Sequence, residues 1–289
     1  HYGQSVFEGM KAYKDDRDKI WLFRPLENFN RINKSSARLQ IPQFPKEYFF
    51  DGLNELLKID SEWIKRGVGN SLYVRPFVFA SQAGVQASPA IEYTFLIICC
   101  PVKSYYGGEV NILIEENFSR AADGGVGFAK AAGNYAAQFY PTSLAIKKGY
   151  EQIIWTDASS HEYLEEAGTM NIFFRINDKL ITAPTSDRIL DGVTRKSAIQ
   201  IAKDFGIDVE VRPIKVSEII EAAENKILKE MFGSGTAVVV SPIKSFGYRG
   251  MNYKLPLIKN SLASSIKNKI TEIQYNLCDD PYGWRYEVI

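Results

Sequence analysis

The chain has 289 residues, 45% of them hydrophobic, with 35 basic and 34 acidic side chains. A net charge of +1 gives no electrostatic reason for a nucleic-acid or membrane-surface partner, and the apolar content excludes a disordered chain. No apolar run approaches the roughly 20 residues that cross a bilayer, and two histidines with three cysteines in no ligand spacing exclude a zinc site and a disulfide framework.

The length suits one large or two medium domains. In chain order, residues 8–13 read as a strand, 14–18 as a charged turn and 20–23 as the returning strand of a hairpin. Pro25 opens a helix predicted through residue 37. Residues 46–64 carry apolar Phe49, Leu53, Leu56, Leu57 and Trp63 at helical spacing. Strands are predicted at 72–79 and 93–100. Cys99 and Cys100 end the second and read as small residues on opposite faces of a buried strand, which fits a reducing, cytoplasmic compartment. Pro101 and Gly107-Gly108 mark a linker over 103–109. Beyond it, helices are predicted at 135–148, 194–205, 216–225 and 260–276. Strands are predicted at 110–115, 152–156, 171–176, 179–183, 209–214 and 236–241. The result is an α+β chain of two domains, 1–102 and 110–289. It opens at His1-Tyr2-Gly3 without methionine, so an upstream segment is expected, with room for a lost targeting peptide.

Histidine-based nucleophilic catalysis is poorly supplied. The glycine runs 124–127 and 233–235 match neither a Walker loop nor a dinucleotide fingerprint. Lys130 stands out as the sole charged residue between Gly124 and Gln138. Small neighbours would let a large group lie against this backbone, and a desolvated lysine becomes an amine nucleophile at neutral pH. An ordinary loop lysine is the competing reading. Pyridoxal phosphate needs such an amine, a carboxylate for its ring nitrogen, a hydroxyl for its phenolic oxygen, and backbone N–H groups with an arginine for its phosphate. Glu165-Glu166, Tyr135, the helix start at Asp191-Gly-Val-Thr-Arg195 and the turn Gly233-Ser-Gly-Thr236 each offer one of these, though each alone is a common structural feature.

Seven ordered motifs carry a resemblance. They are residues 6–13 (VFEGMKAY), 22–25 (LFRP), 72–76 (LYVRP), 124–135 with Lys130, 166–171 (EAGTMN), 190–195 (LDGVTR) and 232–237 (FGSGTA). Together they resemble the branched-chain aminotransferases among the fold-type IV pyridoxal-phosphate enzymes. The resemblance implies a smaller N-terminal α/β domain and a larger pseudo-barrel domain. It implies Lys130 as the Schiff-base lysine, Glu166 rather than Glu165 as the ring-nitrogen partner, and Tyr135 at the phenolic oxygen. It places Arg31, Thr169, Val193, Thr194 and Thr236 at the phosphate, and Tyr2, Phe7, Tyr73 and Tyr105 around the substrate side chain. Arg75 falls near the bound acid, and Thr236 and Ala237 at the α-carboxylate. Glu165 is expected to be a solvated neighbour. The implied reaction moves the amino group of L-leucine, L-isoleucine or L-valine to 2-oxoglutarate, in a homodimer that needs no metal, nucleic acid or membrane. D-amino acid transaminase and aminodeoxychorismate lyase share the fold, and a non-catalytic cofactor-binding protein is the reading from another class. Some animal members carry a Cys-x-x-Cys after the Gly-Thr-Ala turn. Here Val238 and Ser241 stand there, so no such thiol switch is expected.

Overall fold

The computed structural model describes residues 2–103 and 110–289; of the expected linker only residue 103 is among them, and Tyr105 lies outside. The first elements are β1 (Ser5–Phe7), β2 (Met10–Lys14), β3 (Ile20–Phe23), α1 (Pro25–Arg38), α2 (Lys46–Ile59), β4 (Asn70–Ala80) and β5 (Tyr93–Lys103). Then come β6 (Val110–Ile114), α3 (Ala132–Lys147), β7 (Gln152–Thr156), β8 (Leu164–Ala167), β9 (Met170–Ile176), β10 (Lys179–Thr182), α4 (Val193–Asp204) and β11 (Asp208–Val211). The last are α5 (Val216–Glu224), β12 (Leu228–Gly235), β13 (Val239–Tyr248), β14 (Met251–Lys254), α6 (Leu262–Gln274) and β15 (Arg285–Glu287).

Two compact units result. One takes His1–Tyr105, Ala129–Gly133 and Thr271–Ile289; the other takes Tyr106–Phe128 and Asn134–Ile270. The sequence reading gives all of 110–289 to one domain, whereas residues 129–133 and 271–289 group with the first unit here. The tail belongs to the first unit because β15 pairs with β3 through Tyr286↔Leu22, Arg24 N donates to Trp284 O at 2.7 Å, and Asn54 Nδ2 donates to the Tyr286 hydroxyl at 3.0 Å.

The first unit is a six-stranded sheet ordered β1-β4-β2-β3-β15, with β5 on the other edge of β4. Its core joins Val6, Met10, Ala12, Leu22, Leu72 and Val74 of the sheet to Ile32 of α1 and Phe49, Leu53 and Leu57 of α2. α1 starts at Pro25, whose missing N–H is no loss in a first turn. Its buried stripe is polar: Asn28, Arg31, Ser35 and Ser36 accompany Ile32. α2 is shorter than the apolar spacing predicts, because the helix caps at Asp60 and Trp63 is 57% exposed. The cysteine expectation is also corrected. β5 pairs with β4 alone, so Cys100 is exposed and Cys99 half-buried, all three cysteines being free thiols. Burial pushes the Cys99 thiol up to about 11.

In the second unit β8 pairs with β9 as well as β7, which closes β9-β12-β13-β6-β7-β8 into a ring, with β10, β11 and β14 outside it. β13–β6 and β6–β7 are parallel, the other ring contacts antiparallel. Ile112, Ile154, Ile172, Phe174, Met231, Ile243 and Phe246 are fully or almost fully buried in its core, each such side chain contributing about 1.5–3 kcal/mol. Closure removes sheet edges, and this ring is the pseudo-barrel that the resemblance implies.

Candidate active site

In the first unit the lysine segment is stitched onto β1. Phe7 N donates to Lys130 O at 3.1 Å, and Val6 bridges to Ala131. The Ser35 hydroxyl accepts from Lys130 N at 2.9 Å and donates to the Arg31 carbonyl at 2.8 Å. The Lys130 amine lies 4.7 Å from the Phe7 ring centroid. Arg75 stacks on the same ring at 4.8 Å and on Tyr73 at 5.1 Å, and donates to the Tyr73 hydroxyl at 2.9 Å. Gly9 makes that packing possible, because a Cβ there would collide with the Tyr73 hydroxyl. Tyr2 is 61% exposed and donates to Val85 O at 3.0 Å.

Arg31 faces Glu8, a residue to which sequence reasoning assigns no role. Arg31 Nε and Nη2 reach the two Glu8 oxygens at 2.7 and 2.8 Å, and Asn28 adds a bond at 2.7 Å. Burial opposes the charge of Glu8, but the Arg31 guanidinium, the Lys130 amine and Asn28 together hold its carboxyl below the ordinary range. A guanidinium carries five N–H donors, more than one carboxylate takes, so Arg31 can serve an anion while Glu8 orients it.

In the second unit Glu166 stands on β8, where three protein groups hold it. Its Oε2 pairs with Arg120 Nε at 3.0 Å, and its Oε1 accepts from Leu190 N and, at 3.4 Å, from Asn171 Nδ2. Asn171 also donates to Leu190 O at 2.9 Å, and Gly192 leaves room for its side chain. Arg120 further donates to Arg188 O at 2.5 Å and Gly127 O at 3.0 Å. Arg120 is invisible in the sequence because Ser-Arg-Ala carries no motif. Glu165 corrects an expectation. It is buried, its side chain only 2% exposed, and paired with Arg188; burial pushes its carboxyl up to about 7 against the pull of Arg188.

Glu166 therefore touches the approach to α4. That helix has Gly192 as N-cap, no side-chain cap and no acid in its first turn, an arrangement whose leading N–H groups suit an anion. Val193 and Thr194 there are buried. Gly168 (φ +57) and Thr169 turn the chain from β8 into β9. β12 and β13 are joined at Thr236–Val238, with Gly235 opposite Val239, which corrects the strand expected from residue 236. Val239 takes φ +61, a left-handed backbone that a β-branched residue adopts only under constraint. In β12 the Ser234 hydroxyl is buried without a partner among the described residues. An uncapped helix start beside an orphaned hydroxyl fits a phosphate, so the residues present suit pyridoxal phosphate. Tyr135 is half-buried in the first turns of α3.

A family model described as amino-transferase class IV matches residues 5–246. A probable branched-chain-amino-acid aminotransferase of Staphylococcus aureus (strain N315) is 45% identical, over 100% of this chain and 82% of its own length. Branched-chain-amino-acid transaminase 1 of Bacillus subtilis (strain 168) is 40% identical with the same coverage. Among solved structures, the branched-chain amino acid aminotransferase of Thermobaculum terrenum in its PLP-form superposes with a TM-score of 0.81, covering 100% of this chain and 90% of that one. At 19% identity that likeness is one of fold.

Proposed function

This chain belongs to the class IV amino-transferases, and we infer from that premise how its residues work as a pyridoxal-phosphate-dependent branched-chain-amino-acid aminotransferase. When bound, the cofactor supplies an aldehyde for the amino group and a ring that draws off electrons while its nitrogen is protonated. Lys130 would hold the cofactor through its side-chain amine and would move the proton at the substrate Cα. Glu166, kept a hydrogen-bond acceptor by Arg120 and Leu190, holds the ring-nitrogen proton. The observation that carries the reading is this buried, triply bonded carboxylate beside the uncapped start of α4.

The N–H groups of Val193 and Thr194, with Thr169, Thr236 and Arg31, bind phosphate, and Tyr135 donates to the phenolic oxygen. Thr236 and Ala237 hold the substrate carboxylate through their N–H groups. Phe7, Tyr73, Tyr2 and Tyr105 wall an aliphatic side chain, while Arg75 and the Tyr73 hydroxyl receive the second carboxylate of glutamate. Apolar walls separate aliphatic chains by only about 10–200-fold per methylene, so leucine, isoleucine and valine share one site. Return of the amino group to 2-oxoglutarate completes a ping-pong cycle. Exposed Leu96 and Ile98 on β5, and Phe139, Tyr140 and Ile146 on α3, support a homodimer. Three free thiols support a reducing, cytoplasmic setting; among the described residues no helix is long and apolar enough to cross a membrane.

The test offers purified protein L-leucine, D-alanine and aminodeoxychorismate separately, each with 2-oxoglutarate where an acceptor is needed. Turnover of L-leucine is expected, with borohydride fixing the cofactor to the peptide containing Lys130. Preference for either other substrate, a label on another peptide, or colour without turnover would overturn the reading.

A further inference from the structure

β8 carries two adjacent buried carboxylates, and the function above uses one. Ile154 pairs with Ala167 and Thr156 with Leu164, so a two-residue step on β7 faces a three-residue step on β8. That bulge lets Leu164 and Ala167 both enter the core and takes Glu165 inward beside Glu166. A buried carboxylate is expensive unless paired.

Its partner is Arg188, which also pairs with Asp123. The backbone following that arginine holds Glu166. Arg188 O receives Arg120, whose Nε meets Glu166 Oε2, and Leu190 N binds Glu166 Oε1. Both oxygens of Glu166 thus depend on residues 188–190, and Glu165 grips that segment by its arginine. Gly127 packs directly on it, since a Cβ there would lie 2.6 Å from Asp187 O and 2.8 Å from Arg188 Cα.

We propose that Glu165 is a positioning residue: through Arg188 it fixes the 188–190 segment, which sets the aim of Glu166 at the cofactor's ring nitrogen. The proposal rests on the role given to Glu166 above. The groups facing Glu165 are Arg188 from the 188–190 segment, Glu166 on its own strand and Arg120 from the stretch after β6, while Asp123 and Asp157 act on Arg188. Because burial raises Glu165 to about 7, its grip on Arg188 strengthens as pH rises through the neutral range, and the ring-nitrogen proton is held more firmly with it.

The test uses holoenzyme of wild type, Glu165→Gln and Arg188→Gln. It follows the pH titration of the cofactor's visible band, the affinity for pyridoxal phosphate, kcat and KM for L-leucine, and the melting temperature. Both variants are expected to raise the titration midpoint by about half a pH unit or more, because the lysine-linked nitrogen that the band reports holds its proton more tightly when the ring nitrogen loses its own, and to reduce kcat several-fold while KM changes by less than about two-fold. The shared direction is decisive, because the two substitutions remove charges of opposite sign. Shifts in opposite directions would reduce Glu165 to a bare charge and overturn positioning. Lower melting temperatures with an unmoved midpoint would make the pair structural only, and overturn it likewise. A wild-type protein whose band ignores L-leucine would instead bring down the reading of Lys130 and Glu166, and the proposal with it.

Discussion

Glu8 and Glu165 are both buried acids paired with arginine, yet they titrate in opposite directions. Two bonds from Arg31, with Asn28 and Lys130 nearby, overcome burial at Glu8; at Glu165 burial prevails. For Glu165 the folded chain retains a proton between about pH 4.5 and 7 that the unfolded chain has released. Its contribution to stability is therefore complete below 4.5 and is lost as pH rises through 7. For Glu8 the sign reverses: its contribution is present above the ordinary carboxylate range and lost as pH falls through its lowered value. Urea midpoints measured at pH 5 and pH 8 should lie closer together, or invert, in Glu165→Gln relative to wild type; an unchanged difference would contradict the assignment. Glu8→Ala should destabilise by about 3–5 kcal/mol at pH 7, because Arg31 would be left buried without its acid. The lysine is legible in the sequence because its neighbours are small and uncharged. Arg120 and Glu8 are not, because a buried ion pair joins residues whose spacing along the chain carries no period.

At the scale of elements, long amphipathic segments are readable and short polar ones are not. α2 announces itself by Phe49, Leu53 and Leu57, and β7 is predicted at its observed bounds, Gln152–Thr156. β8 escapes prediction because Leu-Glu-Glu-Ala buries all four residues around a bulge and shows no alternation. The polar stripe of α1 has the composition of a solvated face, whereas Asn28, Arg31 and Ser35 point inward to serve Glu8 and Lys130. The loop before the lysine is read best through Gly127, which meets Asp187 and Arg188 at distances no side chain tolerates. Gly127→Ala should cost about 1–3 kcal/mol in thermal stability and weaken cofactor binding, measured by calorimetry and by fluorescence titration. A variant as stable as wild type would mean the 187–188 backbone yields easily.

For the whole molecule, the resemblance conveys the pseudo-barrel, and register explains it: the two-residue turn at Gly168-Thr169 pairs Glu166 with Asn171 and closes the ring. Phe174 is fully buried in that core, so Phe174→Ala should lower unfolding free energy by about 3–5 kcal/mol, read from denaturant curves. What composition does not reveal is ownership of the ends. The sheet begun by residues 5–23 receives its last strand from Arg285–Glu287, after every residue of the barrel has been made. On the ribosome, the amino-terminal unit must therefore wait with β3 unpaired on one side, a sticky margin exposed throughout synthesis of the barrel. Chains truncated before Arg285 should aggregate through that margin even though their barrel is complete, and supplying the missing peptide in trans should rescue them.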